Sequence, residues 1–226
     1  MSKRTRAPRI KRQSIANRSV HWLVAISTFA LFFSGFGQMP MYDRYGLSAL
    51  PGMAWAGDYH INLSIHYIAG ALLVMAVVLH ISLAIMLRTY AIVPRRGDFK
   101  ESVEIIRAMF GRGKAPASHK YLAEQRLAYA FIGASTLVLV ITGIVKVLKN
   151  LPVFSFDPLT LFVTTTLHNA AAMLLLLGIV GHFAAFIFKE NRTLLPAMFD
   201  GTVDEEYARE RHSLWHAEVA EENKRG

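Results

Sequence analysis

The stretch LHNAAAMLLLLGIVGHF, residues 167–183, decides how the chain is read, because two imidazoles, His168 and His182, stand in a run that is otherwise almost wholly apolar. Ionisable side chains inside a long apolar helix are rare and costly, and by default mark function. Fourteen residues make close to four full turns, so both histidines point from one face, about 21 Å apart along the axis. One helix thus carries two ligand-type side chains at two depths.

That run is one of four. Val20 to Gln38, Ile61 to Leu87, Leu127 to Val147 and Leu159 to Phe188 are each apolar over the length of about 20 residues that a bilayer crossing needs. Of 226 residues, 53% are hydrophobic and 18% charged. Mean hydropathy is +0.32, and ordinary soluble domains carry fewer apolar residues. Because the connections are short, the sequence predicts a single all-α domain over 1–226. It is an integral membrane four-helix bundle with spans at about 20–38, 61–87, 127–147 and 159–188, and a soluble C-terminal helix in a tail over 189–226. A basic leader precedes the first span, as in a signal peptide. Yet SVHWLVAISTFALFFSGFGQ outruns an h-region and no small-residue cleavage site precedes MPMYDRYG, so it is kept as a membrane helix.

Lys and Arg near span ends favour the cytoplasmic side. Lys3, Arg4, Arg6, Arg9, Lys11, Arg12 and Arg18 precede the first span, nine more basic residues lie between Arg88 and Arg126, and six follow from Lys189 onward. The opposite side holds Arg44, Lys146 and Lys149. Both termini and the 88–126 loop are therefore expected in the cytoplasm, which places the chain in the inner (cytoplasmic) membrane. The net charge of +9 reads as a topology signal; no recognition fold accompanies it, so nucleic acid is set aside as a partner. In the loop, FKESVEIIRAMFG spaces Val103, Ile106 and Phe110 at helical intervals, which predicts a short amphipathic helix on the inner membrane surface. No internal repeat stands out. The chain has no Cys, so it holds neither thiolate-bound iron–sulfur clusters nor disulfides.

Five of nine histidines lie in or at the edge of a span: His21, His66, His80, His168 and His182. A lone one would read as a packing residue bonded to a carbonyl. Five at matched depths read differently. His66 enters its span from the same side as His168 and stands level with it, while His21 opens the first span from the cytoplasm, level with His182. Two imidazoles from different helices at one depth suit haem iron with two axial ligands. Zinc or copper would want more ligands clustered at one level. Gly70, Ala170 to Ala172, Gly178 and Gly181 offer a flat macrocycle clearance, or simply close helix packing. His80, 14 residues after His66, faces inward at the inner depth. It is the alternative to His21 as ligand, or a propionate contact, or a proton-handling group at a quinone site.

NRSVHWLV, IHYIAG, KYLAEQR leading into LVLVITGIVKV, LHNAAAMLLLLGIVGH and HSLWHAEV together resemble the gamma subunit of respiratory formate dehydrogenases. That subunit is a four-helix dihaem cytochrome b, similar also to the cytochrome b subunits of nickel-iron hydrogenases. The resemblance runs nearly end to end. It implies two haem b groups, the outer held by His66 and His168 and the inner by His21 and His182. It also implies a quinone pocket by the inner haem and His182. The family's KYNAGQ segment reads KYLAEQ here, so Tyr121, Ala123 and Gln125 match, while Leu122 and Glu124 replace an Asn and a Gly. The departures imply an altered pocket or a different proton donor, for which Glu124 is the candidate. The implied role is a membrane anchor that passes electrons from an iron–sulfur subunit, by outer then inner haem, to a quinone at the cytoplasmic side. Formate oxidation itself would belong to a separate catalytic subunit.

Other residues carry weaker readings. Arg18 is a propionate contact or a positive-inside anchor, and Lys146 and Lys149 dock a partner subunit, touch a propionate or snorkel to the interface. His212 and His216 have metal-ligand spacing without a third ligand. Trp22, Trp55 and Trp215 read as interface anchors. Two competing readings use the same residues: the cytochrome b subunit of a hydrogenase or other respiratory oxidoreductase, and a haem-free membrane anchor or transporter. Transporters of the second kind commonly show broken helices and paired repeats.

Overall fold

A computed structural model describes residues 8–225, so Lys3, Arg4 and Arg6 of the basic leader lie outside the described residues. The chain is almost wholly helical. In order it forms β1 (Arg9–Lys11), α1 (Ile15–Gln38), α2 (Met41–Arg44), α3 (Tyr59–Met86), α4 (Asp98–Met109), α5 (Ala123–Leu148), α6 (Pro158–Ala184), α7 (Lys189–Arg192), α8 (Pro196–Phe199), β2 (Thr202–Asp204), α9 (Glu205–Arg211) and α10 (Ser213–Arg225). Among the described residues four helices are long and apolar enough to cross a membrane: α1, α3, α5, and α6 continued by a 3₁₀ turn to Ile187. Large apolar side chains such as Ile68, Met75, Val78, Phe162 and Leu177 are more than half exposed along them. A surface of that kind is stable against lipid, not water. The chain is a multi-pass membrane protein.

Helices α1 and α5 begin earlier than the apolar runs at Val20 and Leu127 that announce them. Their first turns are polar, and local caps hold them. Ser14 Oγ accepts the Asn17 N–H at 3.1 Å, and Gln125 Oε1 accepts the Leu122 N–H at 3.2 Å. Such bonds satisfy the donors that a helix N-terminus leaves open.

The chain divides into two compact units. One comprises Ser19–Arg88 and Leu137–Ala172; the other comprises the chain up to Arg18, Thr89–Thr136 and the chain from Met173 onward. In the first unit, segments of all four long helices pack together, and Ala69, Leu73, Ala76 and Ala171 are buried. Helices α1 and α3 meet closely at Gly37, where a Cβ would run into the side chain of the fully buried Asn62. Asn62 Nδ2 donates to the carbonyls of Ala56 at 2.7 Å and Asp58 at 2.8 Å, which ties the loop before α3 to the start of that helix.

The second unit adds to one expectation and corrects another. The tail forms the expected C-terminal helix, α10, and before it α7, α8, β2 and α9. β2 pairs antiparallel with β1, Ile10 opposite Val203, and Asp204 caps α9 by accepting from the Glu206 and Tyr207 N–H groups. The two strands have three residues each, too few for an alternating pattern to register. Trp215 is no interface anchor: it is 6% exposed, in a core with Ala197, Val203 and Ala208. The turn that brings the strands together needs Gly201, at φ +86°, whose carbonyl accepts the N–H groups of Arg12 and Gln13.

The loop helix forms as expected, as α4, with Ile106 and Phe110 exposed. Its opposite side is pinned to the start of α5. Asp98 accepts from Arg126 at 2.6 and 2.8 Å, both side chains being almost fully buried. Ile105 packs on Leu122 and Ala123. The Arg126 bonds hold the Asp98 carboxyl below the usual carboxylate range.

Candidate functional site

Helix α3 carries His66 and α6 carries His168, and the first unit brings them together. Their ring centroids are 6.5 Å apart, with 58° between the planes. Two imidazoles bound on opposite sides of one metal ion, at about 2.0–2.1 Å per bond, have centroids about 6.4 Å apart. The observed pair has that separation. Among the described residues no group of three or more His, Asp or Glu converges as a metal cage would. A donor set of two neutral imidazoles suits an iron whose four other positions are filled by a macrocycle.

Each imidazole is held from a neighbouring helix. His66 Nδ1 lies 2.9 Å from Ser34 Oγ on α1, and His168 Nδ1 lies 2.9 Å from Thr142 Oγ1 on α5. The residue after each hydroxyl is a glycine. A Cβ on Gly35 would stand 3.6 Å from His66 Cε1, and one on Gly143 3.6 Å from His168 Cε1. Each ring edge therefore rests against a helix backbone. Sequence reading singled out neither hydroxyl and neither glycine.

The remaining histidines are placed as follows. His21, on α1, is half-buried with Trp22 edge-on to it at 5.4 Å, and His80, on α3, is also half-buried. Both belong to the first unit. His182 belongs to the second, at the end of α6, exposed and edge-on to Phe183 at 5.9 Å and Phe186 at 5.7 Å. Of the residues read as clearance for a macrocycle, Gly178 is a packing glycine, since its Cβ would meet Phe131 and Ile132 at 3.1–3.3 Å. Gly181 faces open space and Gly70 meets only Leu31, at 4.0 Å.

The KYLAEQ segment lies in the second unit. Tyr121 Oη accepts from Gln13 Nε2 at 3.0 Å, and the Arg12 guanidinium stands 5.5 Å over its ring. Ala123 is fully buried, Gln125 caps α5, and Glu124 is half-buried with one carboxylate oxygen enclosed and unbonded. Arg18 donates to the Phe199 carbonyl, so it ties α1 to the C-terminal segment. Asn150 joins the C-terminal end of α5 to α3, donating to Tyr67 Oη at 2.9 Å and to the Lys146 carbonyl at 3.4 Å. His212 and His216 do not share a ligand position. His212 Nδ1 donates to the His119 carbonyl at 2.8 Å, and His216 Nε2 meets Glu205 at 3.2 Å.

Compared with known proteins, residues 12–201 match the sequence model described as prokaryotic cytochrome b561. The match takes in all four long helices and all five span histidines. No curated protein matches the chain.

Proposed function

We propose, from the premise that this chain belongs to the prokaryotic cytochrome b561 family, that it is the dihaem cytochrome b subunit of a respiratory formate dehydrogenase. As a member of that family it binds haem b and transfers electrons as a membrane subunit, alongside redox partners. The finer reading adds a formate-oxidising catalytic subunit, an iron–sulfur subunit and a quinone acceptor at the cytoplasmic side. What supports the haem reading is the His66–His168 pair, whose 6.5 Å spacing fits two axial ligands of one iron; the formate partner rests on the resemblance to the gamma subunit.

In this reading His66 and His168 hold an outer haem. His21 and His182 hold an inner one, a pairing that rests on residue spacing and on the resemblance to the formate dehydrogenase gamma subunit. Bound haem supplies one-electron carriage from the iron–sulfur partner toward the quinone. The chain's own residues do the rest. Ser34 and Thr142 orient the outer imidazoles. Leu73 and Leu175, 3% exposed each, keep water from the helix faces that carry the histidines. Glu124, whose enclosed oxygen lacks a bonding partner, hands protons taken from the cytoplasm to the reduced quinone, with Tyr121, Ala123, Gln125 and His182 around the head group. Charge is then separated without a pump.

The test is a reduced-minus-oxidised spectrum of the purified protein with haem counted per chain, on wild type, His168→Ala and His21→Ala. Two b-type haems falling to one in each variant support the reading. A well-folded protein with no haem sinks it. Partner identity is read separately in native membranes: haem reduced by formate supports the formate complex, and haem reduced by hydrogen but not by formate gives the chain to a hydrogenase.

A further inference from the structure

We infer that Ser34 and Thr142 are the positioning residues of the outer ligand pair, each fixing the tautomer and ring orientation of one imidazole; the inference rests on the haem reading above. A hydroxyl has one proton to donate. Ser34 Oγ spends it on the Ala30 carbonyl, at 2.7 Å, and Thr142 Oγ1 on the Val138 carbonyl, at 2.6 Å. Carbonyls only accept. The two 2.9 Å contacts to imidazole must therefore run from Nδ1–H to the hydroxyl oxygen. A neutral imidazole protonated at Nδ1 carries its lone pair at Nε2, so each histidine holds a bare ligand atom before any metal arrives.

The same device is built twice. STFALFFSG, residues 27–35, and STLVLVITG, residues 135–143, share hydroxyl and glycine positions at a constant offset of 108. HYIAGALLVMAVVLH, residues 66–80, and HNAAAMLLLLGIVGH, residues 168–182, share both histidines at an offset of 102. Burial repeats with them: Ala69 and Ala171 are both 4% exposed, and Leu73 and Leu175 both 3%. The expectation of no internal repeat is thus corrected. Each half supplies one ligand on its second long helix and one hydroxyl–glycine pair on its first. A contact reproduced at the same distance in two differing sequences is a requirement of the site, not a packing accident. At each following glycine a Cβ would lie 3.6 Å from the ring's Cε1, ordinary contact distance, so the imidazole edge fills the space beside the helix backbone.

The test uses the full-length protein purified with its haem. Thr142→Val keeps the shape and removes the acceptor; Thr142→Ser keeps the acceptor; Ser34→Ala probes the other half; and Ser27→Ala, two turns away on α1, controls for loss of a buried hydroxyl. The readouts are the midpoint potentials of the two haems, the low-spin ferric resonances and the rate of haem loss to a scavenger. Without the acceptor the imidazole is a weaker donor to ferric iron, so one haem of the two should shift to higher potential in Thr142→Val and again in Ser34→Ala. That haem should leave about 10–100 times faster. Thr142→Ser and Ser27→Ala should match wild type. Unmoved potentials and resonances in Thr142→Val with both haems present overturn the inference alone, as does a shift that Thr142→Ser fails to restore. A wild-type protein without haem overturns the haem reading first and the inference with it.

Discussion

Acid should loosen the C-terminal segment through one side chain, His212. The residue is 0% exposed. Its Nδ1–H is committed to the His119 carbonyl, while Nε2 is enclosed with no partner. A proton arriving at Nε2 would create a buried cation with an unbonded N–H. Burial, then the Arg12 guanidinium and after it Arg211, push the imidazole down to about 3. The His119 carbonyl opposes them only in part. The folded value lies below the unfolded one, about 6.5, so between these the unfolded chain holds a proton that the folded one lacks. Stability is then complete above pH about 6.5 and falls with pH at about 1.4 kcal/mol per unit, levelling off below about 3. From pH 7 to pH 5 the loss is about 2 kcal/mol, or about a 30-fold rise in opening. Hydrogen exchange over residues 202–219, corrected for the intrinsic rate at each pH, measures it. His212→Asn keeps a donor for the His119 carbonyl and cannot gain a charge. That variant should lose some protection at both pH values and show a flattened pH slope. An equal slope in wild type and His212→Asn would refute the reasoning.

Three further outcomes are expected. Gly37→Ala forces a methyl into the amide of Asn62 and should cost about 1–3 kcal/mol by overpacking, read as a lower melting temperature in detergent, while Gly133→Ala, which meets nothing within 4 Å, should melt as wild type or slightly higher. Asp98→Asn leaves the buried Arg126 guanidinium without its main charge partner and should cost about 3–5 kcal/mol; limited proteolysis within α4 should rise, and adding Arg126→Met should recover most of the loss. Because the Asp98 carboxyl is held below its ordinary value, this contribution is present above pH about 4 and is lost as pH falls further. His21→Ala should remove one haem of two and His80→Ala neither, counted by pyridine haemochrome.

The four spans are legible in hydropathy alone, because a bilayer demands length and apolarity and little else. Polar helical turns escape that measure: Ala123 to Arg126 is helix by capping and by the Asp98 bond, not by composition. Trp215 misleads for a related reason. A tryptophan near a membrane segment reads as an anchor, and only the pairing of residues 9–11 with 202–204 creates the core that buries it. That pairing joins the two ends of the chain, and three-residue strands leave no local signal.

The His66–His168 pairing is legible from its spacing, and the hydroxyls that hold it were legible too, in a pattern that hydropathy does not weigh. Between STFALFFSG and STLVLVITG the apolar residues drift among Phe, Ala, Leu, Val and Ile, since any of them satisfies lipid or core. Ser34 and Thr142 stay hydroxyls because each meets an imidazole and a helix carbonyl, and Gly35 and Gly143 stay small where an imidazole edge lies beside them. Constancy amid drift is where the chemistry lies. The same comparison explains why the inner ligand stays open to sequence reasoning. At the offset of 108 that superposes the hydroxyls, His21 falls on Tyr129; at the offset of 102 that superposes His66 on His168, His80 falls on His182. Internal symmetry thus favours His80 as the mate of His182, and the resemblance to formate dehydrogenase subunits favours His21. The two copies agree at Ser34 and Thr142 and part at His21 and Tyr129, so the symmetry that accounts for the outer pair says nothing reliable about the inner one. Position 21 is an imidazole in one copy and a phenol, Tyr129, in the other, so the repeat offers no internal check on His21, and the haem counts of His21→Ala and His80→Ala decide between the two histidines.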